Sequence, residues 1–418
     1  MAVTMAGFRS LWSQLDPIGA DRRGGYARFG WTPAERELRE WFTSTAQERG
    51  LDVETDRNGN LWAWWGAPGA DAVVTGSHLD SVFSGGAYDG PLGVVSAFLA
   101  LDELRRRGVG ASGAPPRPFA IACFVEEEGS RFGVACLGSR LLTGALEADT
   151  ALRLTDRAGV TLAEAVTGGG LDPSGLGRDD ALVGRVGVFV ELHIEQGRAL
   201  VDLDAAVGVG TSIWPHGRYR FDFSGRADHA GTTRMEDRRD PMLSFAMTAL
   251  AANKQARLAD ASAGGARATF GRVEVAPNST NAIPAHVTAW LDARSHSETA
   301  LLDLVAAIEK QATERAGRDG TTLAVTPESL SPAVVFPAAL AAQIAADHTG
   351  GDWPLLATQA GHDAGILASA GVPTAMLFVR NPTGVSHSPE EYAEDADCVA
   401  GASALANTLE RLLRSESA

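Results

Sequence analysis

The feature that most constrains this chain is a set of short, uninterrupted apolar runs, each ending in residues able to do chemistry. The run at 72–75 is continuous and β-branched and passes directly into Gly76-Ser77-His78-Leu79-Asp80-Ser81; the run at 119–125 ends in Glu126-Glu127-Glu128. Runs this short, without polar alternation, fit strands buried on both faces, and such strands belong to sheets covered by helices on both sides. Residues 93–107 carry apolar side chains at helical spacing, which completes a strand-loop-helix unit of a doubly wound α/β sheet. Between 188 and 195 the alternation is strict, with Val188, Val190, Leu192 and Ile194 on one face and Glu191, His193 and Glu195 on the other. One face is expected in the core and the other to be polar.

The pattern changes after about residue 214. Strand-like 219–223, helical 241–256, strand-like 268–275 and 286–294, helical 298–313 and strand-like 322–325 follow in turn. The order β-α-β-β-α-β is the split βαβ arrangement of a ferredoxin-like α+β domain, and α/β patterning resumes from 338 to 413. The economical reading is a catalytic α/β domain made of 1–210 and 331–418, with an inserted domain at 211–330.

Composition excludes several partners. Of the 418 residues 52 are acidic and 36 basic, a formal charge of -16, which disfavours phosphate backbones and anionic lipid surfaces. Neither a nucleic acid nor a membrane partner is expected. Cys123, Cys136 and Cys398 show no CxxC spacing, so neither a disulfide framework nor a cysteine-type zinc site is indicated. No apolar run approaches the roughly 20 residues of a membrane span, and the start of the chain lacks a basic segment followed by an apolar one. A reducing, cytoplasmic setting is expected.

Five clusters are candidates for chemistry. Asp80, two residues beyond His78, is placed to accept the imidazole proton facing away from a metal, although the same pair also reads as a histidine beside a helix-capping aspartate. Asp89, among glycines just before the 93–107 helix, suits a cation or an N-cap. Three adjacent carboxylates at Glu126–Glu128 repel one another unless solvent or a cation compensates. His193 lies on the polar face of its strand, and His387 on a loop near the chain end. Each alone has an ordinary structural reading. Together His78, Asp89, Glu127, His193 and His387 form an inventory that suits two borderline divalent ions bridged by one aspartate.

Taken in order, GSHLDS, GGAYDGPLG, EEEGSRFG, ELHIEQG, DHAGTT, PNSTNAIP, AGHDAG and SHSPEE closely resemble the amidohydrolase branch of the M20 metallopeptidase family, over almost the whole chain. That branch includes N-carbamoyl-L-amino-acid hydrolases and allantoate amidohydrolases. The resemblance implies two divalent ions per subunit, zinc by default with manganese, cobalt or nickel as alternatives. His78 and His193 would complete one ion and Glu127 and His387 the other, with Asp89 bridging; Glu126 would be the general base and Asp80 the partner of His78. It further implies that the inserted domain is a lid and homodimer interface. His229 would reach the partner subunit's active site as a catalytic donor, and Asn281 and Arg294 would hold the carboxylate of a small-molecule substrate. Gln196, His216, Gly361 and His362 are further candidates for substrate contact. The activity implied is cleavage of a linear ureido- or carbamoyl-type C–N bond by metal-activated water. N-formyl or N-acyl amino-acid hydrolysis and dipeptide cleavage are alternatives, and a non-catalytic binding protein on the same fold is the reading from another class.

Arg294 also reads as a plain surface partner of Asp292. One departure from the family bears on specificity. Allantoate amidohydrolases carry an arginine just ahead of the first lid strand, where this chain has Gly217 within Trp214-Pro215-His216-Gly217-Arg218. His216, Arg218 or Arg380 are candidates to substitute, and Arg380 is alternatively a contact for a second substrate carboxylate.

Overall fold

The computed structural model describes residues 3–111, 113–263, 265–347 and 353–415. It divides into two compact units, Met1–Ser212 with Val335–Ala418, and Ile213–Val334.

The first unit is built on a nine-stranded mixed sheet. Its centre is four consecutive parallel strands in the order Phe119–Phe124, Ala72–His78, Val186–Ile194 and Thr374–Val379. Antiparallel strands extend both sides: Leu61–Trp65 and Asp52–Thr55 beyond the first, Val207–Ile213 beyond the last. The sheet is therefore mixed rather than uniformly wound, and a local hairpin accounts for one antiparallel flank. In that hairpin the buried Asp56 carboxylate accepts from Asn58 N, Asn60 N, Asn60 Nδ2 and Trp62 Nε1, which fixes the turn.

Helices Pro91–Arg106 and Asp395–Arg414 supply Val94, Val95, Phe98, Leu101, Ala402, Leu405 and Leu409 to a core shared with Val73, Val190, Leu192, Leu377 and Val379 of the strands. The opposite face of Val186–Ile194 is polar in sequence but not solvated. Glu191 and His193 are 0% and 1% exposed, and Ala364 N, in the helix Asp363–Ser369, donates to Glu191 Oε2 at 3.0 Å. Polar side chains inside a covered sheet demand partners, and that demand localises the site.

Gly76 lies inside the strand that delivers His78. Its φ is +153°, and an added Cβ would stand 1.9 Å from the Ala122 carbonyl oxygen on the neighbouring strand. Only a residue without a side chain lets the two strands pair there.

The second unit has a four-stranded antiparallel sheet in the order Thr322–Ser331, His216–Ser224, His286–Ser295, Ala266–Ala276. Helices Pro241–Ala263 and Glu298–Asp319 pack on it through Phe245, Ala252, Ala256, Leu301, Leu304, Val305 and Ile308, against Phe221, Phe223, Val287 and Leu291. The chain order is β-α-β-β-α-β. The unit boundaries lie after 212 and 334, a few residues beyond the 210 and 330 read from the pattern, because the flanking strands continue further than their apolar signal. Among the described residues no helix is long and apolar enough to cross a membrane.

Gly76→Ala is expected to destabilise the first unit by about 3 kcal/mol, as overpacking against backbone does. A urea unfolding curve checks this, and an unchanged midpoint would show that the strand can shift to admit the methyl group.

Candidate metal centre

The chemistry-bearing residues gather at the C-terminal edge of the four parallel strands, where open α/β sheets hold their ligands. His78 ends its strand, Glu126–Glu128 follow Phe119–Phe124, His193 lies near the end of Val186–Ile194, and His387 is on the loop after Thr374–Val379. Asp89 precedes the helix Pro91–Arg106, but Gly90 occupies the cap position and no side chain caps it. The helix-cap reading of Asp89 therefore does not hold.

The side chain of Asp89 instead faces the histidines. Its Oδ1 is 3.4 Å from His78 Nε2 and 3.1 Å from His193 Nε2, while its Oδ2 is 3.5 Å from His387 Nε2. The other ring nitrogens point away: His78 Nδ1 is 3.1 Å from the Asp80 carbonyl oxygen, and His193 Nδ1 is 2.9 Å from that of Ile194. Those main-chain acceptors orient each imidazole and leave Nε2 for a cation. His78 Nε2 and His193 Nε2 are buried with no hydrogen-bond partner, as is Glu128 Oε1. Among the described residues three sets of side chains are close enough to hold an ion: His78 with Asp89 and His193, Asp89 with Glu128 and His387, and Glu191 with His193 and His362. The first two share Asp89.

Electrostatics agree with this donor set. Burial, reinforced by Asp89 and Glu127, drives the Glu128 carboxyl well above its ordinary range. Burial likewise pushes Glu127 up to about 7, with Asp80 and Asp89 adding to the rise and His78 opposing it. A pocket whose carboxylates are held up in this way lacks positive charge, and divalent cations supply it.

The acidic triplet divides differently from the expectation that gave Glu126 the proton-transfer role and Glu127 a metal. Glu126 has φ +53°, and this left-handed turn aims its side chain away from the histidines. Its Oε1 accepts from Arg131 N and Phe132 N at 2.7 and 3.0 Å, and its Oε2 from Gly30 N at 2.9 Å. Glu128, not Glu127, groups with Asp89 and His387, its Oε2 lying 3.5 Å from His387 Nε2. Glu127 stands between, with Oε2 3.6 Å from His78 Nε2 and Oε1 accepting from Cys136 Sγ at 3.2 Å. Asp80 caps no helix: its two oxygens accept from Glu127 N and Glu128 N, both at 3.1 Å, and Oδ1 lies 3.5 Å from His78 Nδ1. It thus ties the acidic turn to the first histidine.

Around this centre Gln196 Nε2 donates to Asp89 Oδ2 at 2.6 Å. His362 is buried with its ring 4.4 Å from that of His193, and burial together with His193 keeps its imidazole well below the usual range. Gly361, beside it, is exposed with open space around its α-carbon. Arg380 does not present its guanidinium to a substrate. Asp397 takes its Nε and Nη2 at 2.8 and 3.1 Å and Asp204 takes Nη1 at 3.2 Å, a bidentate pairing that leaves no fork for a second carboxylate.

The remaining candidates lie in the second unit. His229 accepts from Gly231 N and Thr232 N through Nδ1, and a short ladder pairs it with Ala282, next to Asn281. His216 is the cross-strand partner of Arg294. Arg294 Nε and Nη2 reach the two oxygens of Asp292 at 2.8 and 3.1 Å, so the neighbour-pair reading describes part of its bonding. Sequence reasoning gave no role to Glu128, Glu191, Ser386 or Glu391, all of which lie in or against the cluster. The signal for the last two was their place beside His387 in the SHSPEE segment.

The profile of peptidase family M20/M25/M40 matches residues 74–411. An N-carbamoyl-L-amino acid amidohydrolase of Geobacillus stearothermophilus is 35% identical over 97% of this chain and 98% of its own. The allantoate amidohydrolase of Escherichia coli K12 is 31% identical over 95% of each. A crystal structure of AtUAH in complex with glyoxylate superposes with a TM-score of 0.87 at 28% identity, over 99% of both chains. The family's enzymes are metal-dependent, and the donor sets described above fit that chemistry. The chain belongs to peptidase family M20/M25/M40 and, within it, to the amidohydrolases acting on carbon–nitrogen bonds other than peptide bonds.

Proposed function

We propose that this protein hydrolyses the carbamoyl or ureido group of a small carboxylate-bearing substrate of the N-carbamoyl-L-amino-acid or allantoate type, using two divalent ions. The observation that carries the reading is the two-sided presentation of Asp89, one oxygen to His78 and His193 and the other toward His387. In this proposal His78, Asp89 and His193 hold one ion and Asp89, Glu128 and His387 the other. Zinc suits a mixed histidine and carboxylate set, which manganese, cobalt and nickel also accept. Such ions, when bound, polarise a carbonyl and acidify water.

The protein's own groups do the rest. Glu127, raised by burial and close to both donor sets, takes the proton of the attacking water and returns it to the departing nitrogen. Glu126 is a positioning residue whose three main-chain bonds hold the turn that presents Glu127 and Glu128. Gln196, His362 and Gly361 line the substrate's reacting end; for His229, His216, Asn281 and Arg294 the carboxylate- and oxyanion-binding roles that the family resemblance implies are part of the proposal. Gly217, in the place of an arginine of allantoate amidohydrolases, favours the N-carbamoyl amino acid of the two. We also assign a homodimer formed through the second unit, whose helix Pro241–Ala263 leaves Leu243, Met247, Leu250 and Leu258 between 45 and 66% exposed. A reducing, cytoplasmic setting accords with three buried free thiols.

Four outcomes are expected. Glu127→Gln should lower kcat by a factor of about 100 or more with metal content unchanged. Glu126→Gln should instead cost about 1–3 kcal/mol of stability, because an amide nitrogen cannot accept the N–H bonds it inherits. An inactive but fully stable Glu126→Gln enzyme, beside an active Glu127→Gln one, would return the proton-transfer role to Glu126. Across N-carbamoyl amino acids, allantoate, N-formyl amino acids and dipeptides, assayed after chelation and metal restoration, ammonia and carbon dioxide should appear from the first group and only with metal. Turnover confined to formyl substrates or dipeptides would select the aminoacylase or dipeptidase reading. Leu250→Glu should shift the protein from dimer to monomer in sedimentation velocity.

A further inference from the structure

The two donor sets differ in how their histidines are held. His78 and His193 both belong to parallel strands that pair with each other. His387 sits on a loop, is 52% exposed and has φ +55°, a conformation that persists only where surrounding bonds over-determine it. Part of that determination comes from Asn381, whose Oδ1 accepts from Thr383 N, Gly384 N and Thr383 Oγ1 and whose Nδ2 donates to the Val385 carbonyl.

A further part comes from Glu391. It is 4% exposed, lies 302 residues from Asp89, and reaches across to the Asp89 loop: Oε1 accepts from Tyr88 N at 3.0 Å and from Asp89 N at 2.9 Å. Its Oε2 accepts from Ser386 Oγ at 3.1 Å, and that hydroxyl is 3.3 Å from Asp89 Oδ2. The fit is close, since a Cβ on Gly86 would stand 2.4 Å from Glu391 Oε1. Tyr88 and Tyr392 meet edge to face at 6.1 Å on the same seam. One buried carboxylate thus fixes the main chain of the shared ligand Asp89 and the residue next to His387.

We propose that Glu391 is a positioning residue that sets Asp89 against His387 and so governs binding of the ion held by Asp89, Glu128 and His387, leaving the strand-held ion largely unaffected. The inference rests on the two-ion reading above. Without the brace, two loops distant in sequence must find their register in each free molecule; the set of Asp89, Glu128 and His387 bears that cost through both loops, whereas in the other set only Asp89 is affected and His78 and His193 keep their sheet bonds. Loss of such outer bonds lowers metal affinity by about 10- to 100-fold.

The test is zinc stoichiometry and affinity of the full-length protein by competition with a chromophoric chelator, with metal content read independently by mass spectrometry. Wild-type protein should bind two ions per chain; a single ion in the wild type overturns the two-ion reading itself. Given two, Glu391→Ala should retain the tighter ion and lose about 10- to 100-fold in affinity for the weaker. Glu391→Gln, which keeps an oxygen for Tyr88 N and Asp89 N, should recover most of that loss. Wild-type affinity for both ions in Glu391→Ala, equal weakening of both, or equal loss in the Ala and Gln variants would each overturn the proposal. If Glu391→Ala does not fold, Ser386→Ala carries the test: selective weakening of the second ion supports the brace, and unchanged binding overturns it.

Discussion

Asp89 presents a buried carboxylate to three imidazoles, with its two oxygens turned to different sides. A charge removed from water in this way is costly unless it is paired, and the arrangement of the first unit answers that cost. Histidines arrive from two adjacent parallel strands, a third comes from the loop after the next strand, and Gln196 and Ser386 donate to the oxygen that the strand-borne histidines do not face. Burial opposes the charge on Asp89, yet His193 and His78 hold its carboxyl well below the usual range. The carboxylates Glu127 and Glu128 then exceed what the imidazoles alone can balance, which is why a cationic centre fits here.

The sheet makes this possible. Four parallel strands end on the same edge, so His78, the acidic turn, His193 and His387 meet within a few ångströms although they are far apart in sequence. Gly76 permits the tight pairing that puts His78 in place, and Asp80 connects that histidine to the acidic turn through two main-chain bonds. The backbone of the turn is as important as its side chains. With Glu126 in a left-handed conformation, three neighbouring carboxylates point in three directions, one into main-chain N–H groups and two into the cluster.

Much of this was legible beforehand. Uninterrupted apolar runs announced buried strands, and the abrupt change to His-x-Asp or to an acidic triplet marked their ends. The alternation of 188–195 put Glu191 and His193 on one polar face, but only the structure shows that the helix Asp363–Ser369 covers it. Arg380 and the division of labour within Glu126–Glu128 were not legible. A run of three glutamates has no period from which to read direction, and an arginine near a ligand histidine looks the same whether it faces substrate or, as here, Asp397 and Asp204. Glu391 escaped for a related reason, since the main-chain groups of Tyr88 and Asp89 that it holds lie about 300 residues away.

The amino-acid sequence by itself determined the α/β class, the inserted β-α-β-β-α-β segment and the inventory of histidines and carboxylates, because periodicity and composition are local properties written residue by residue. Only the tertiary structure decided which carboxylate faces which histidine, which arginine is already paired, and which buried side chain holds two distant loops together. Those are matters of direction and of long-range contact, and they are fixed by the turn at Glu126, the parallel register of the strands and the packing of one loop against another.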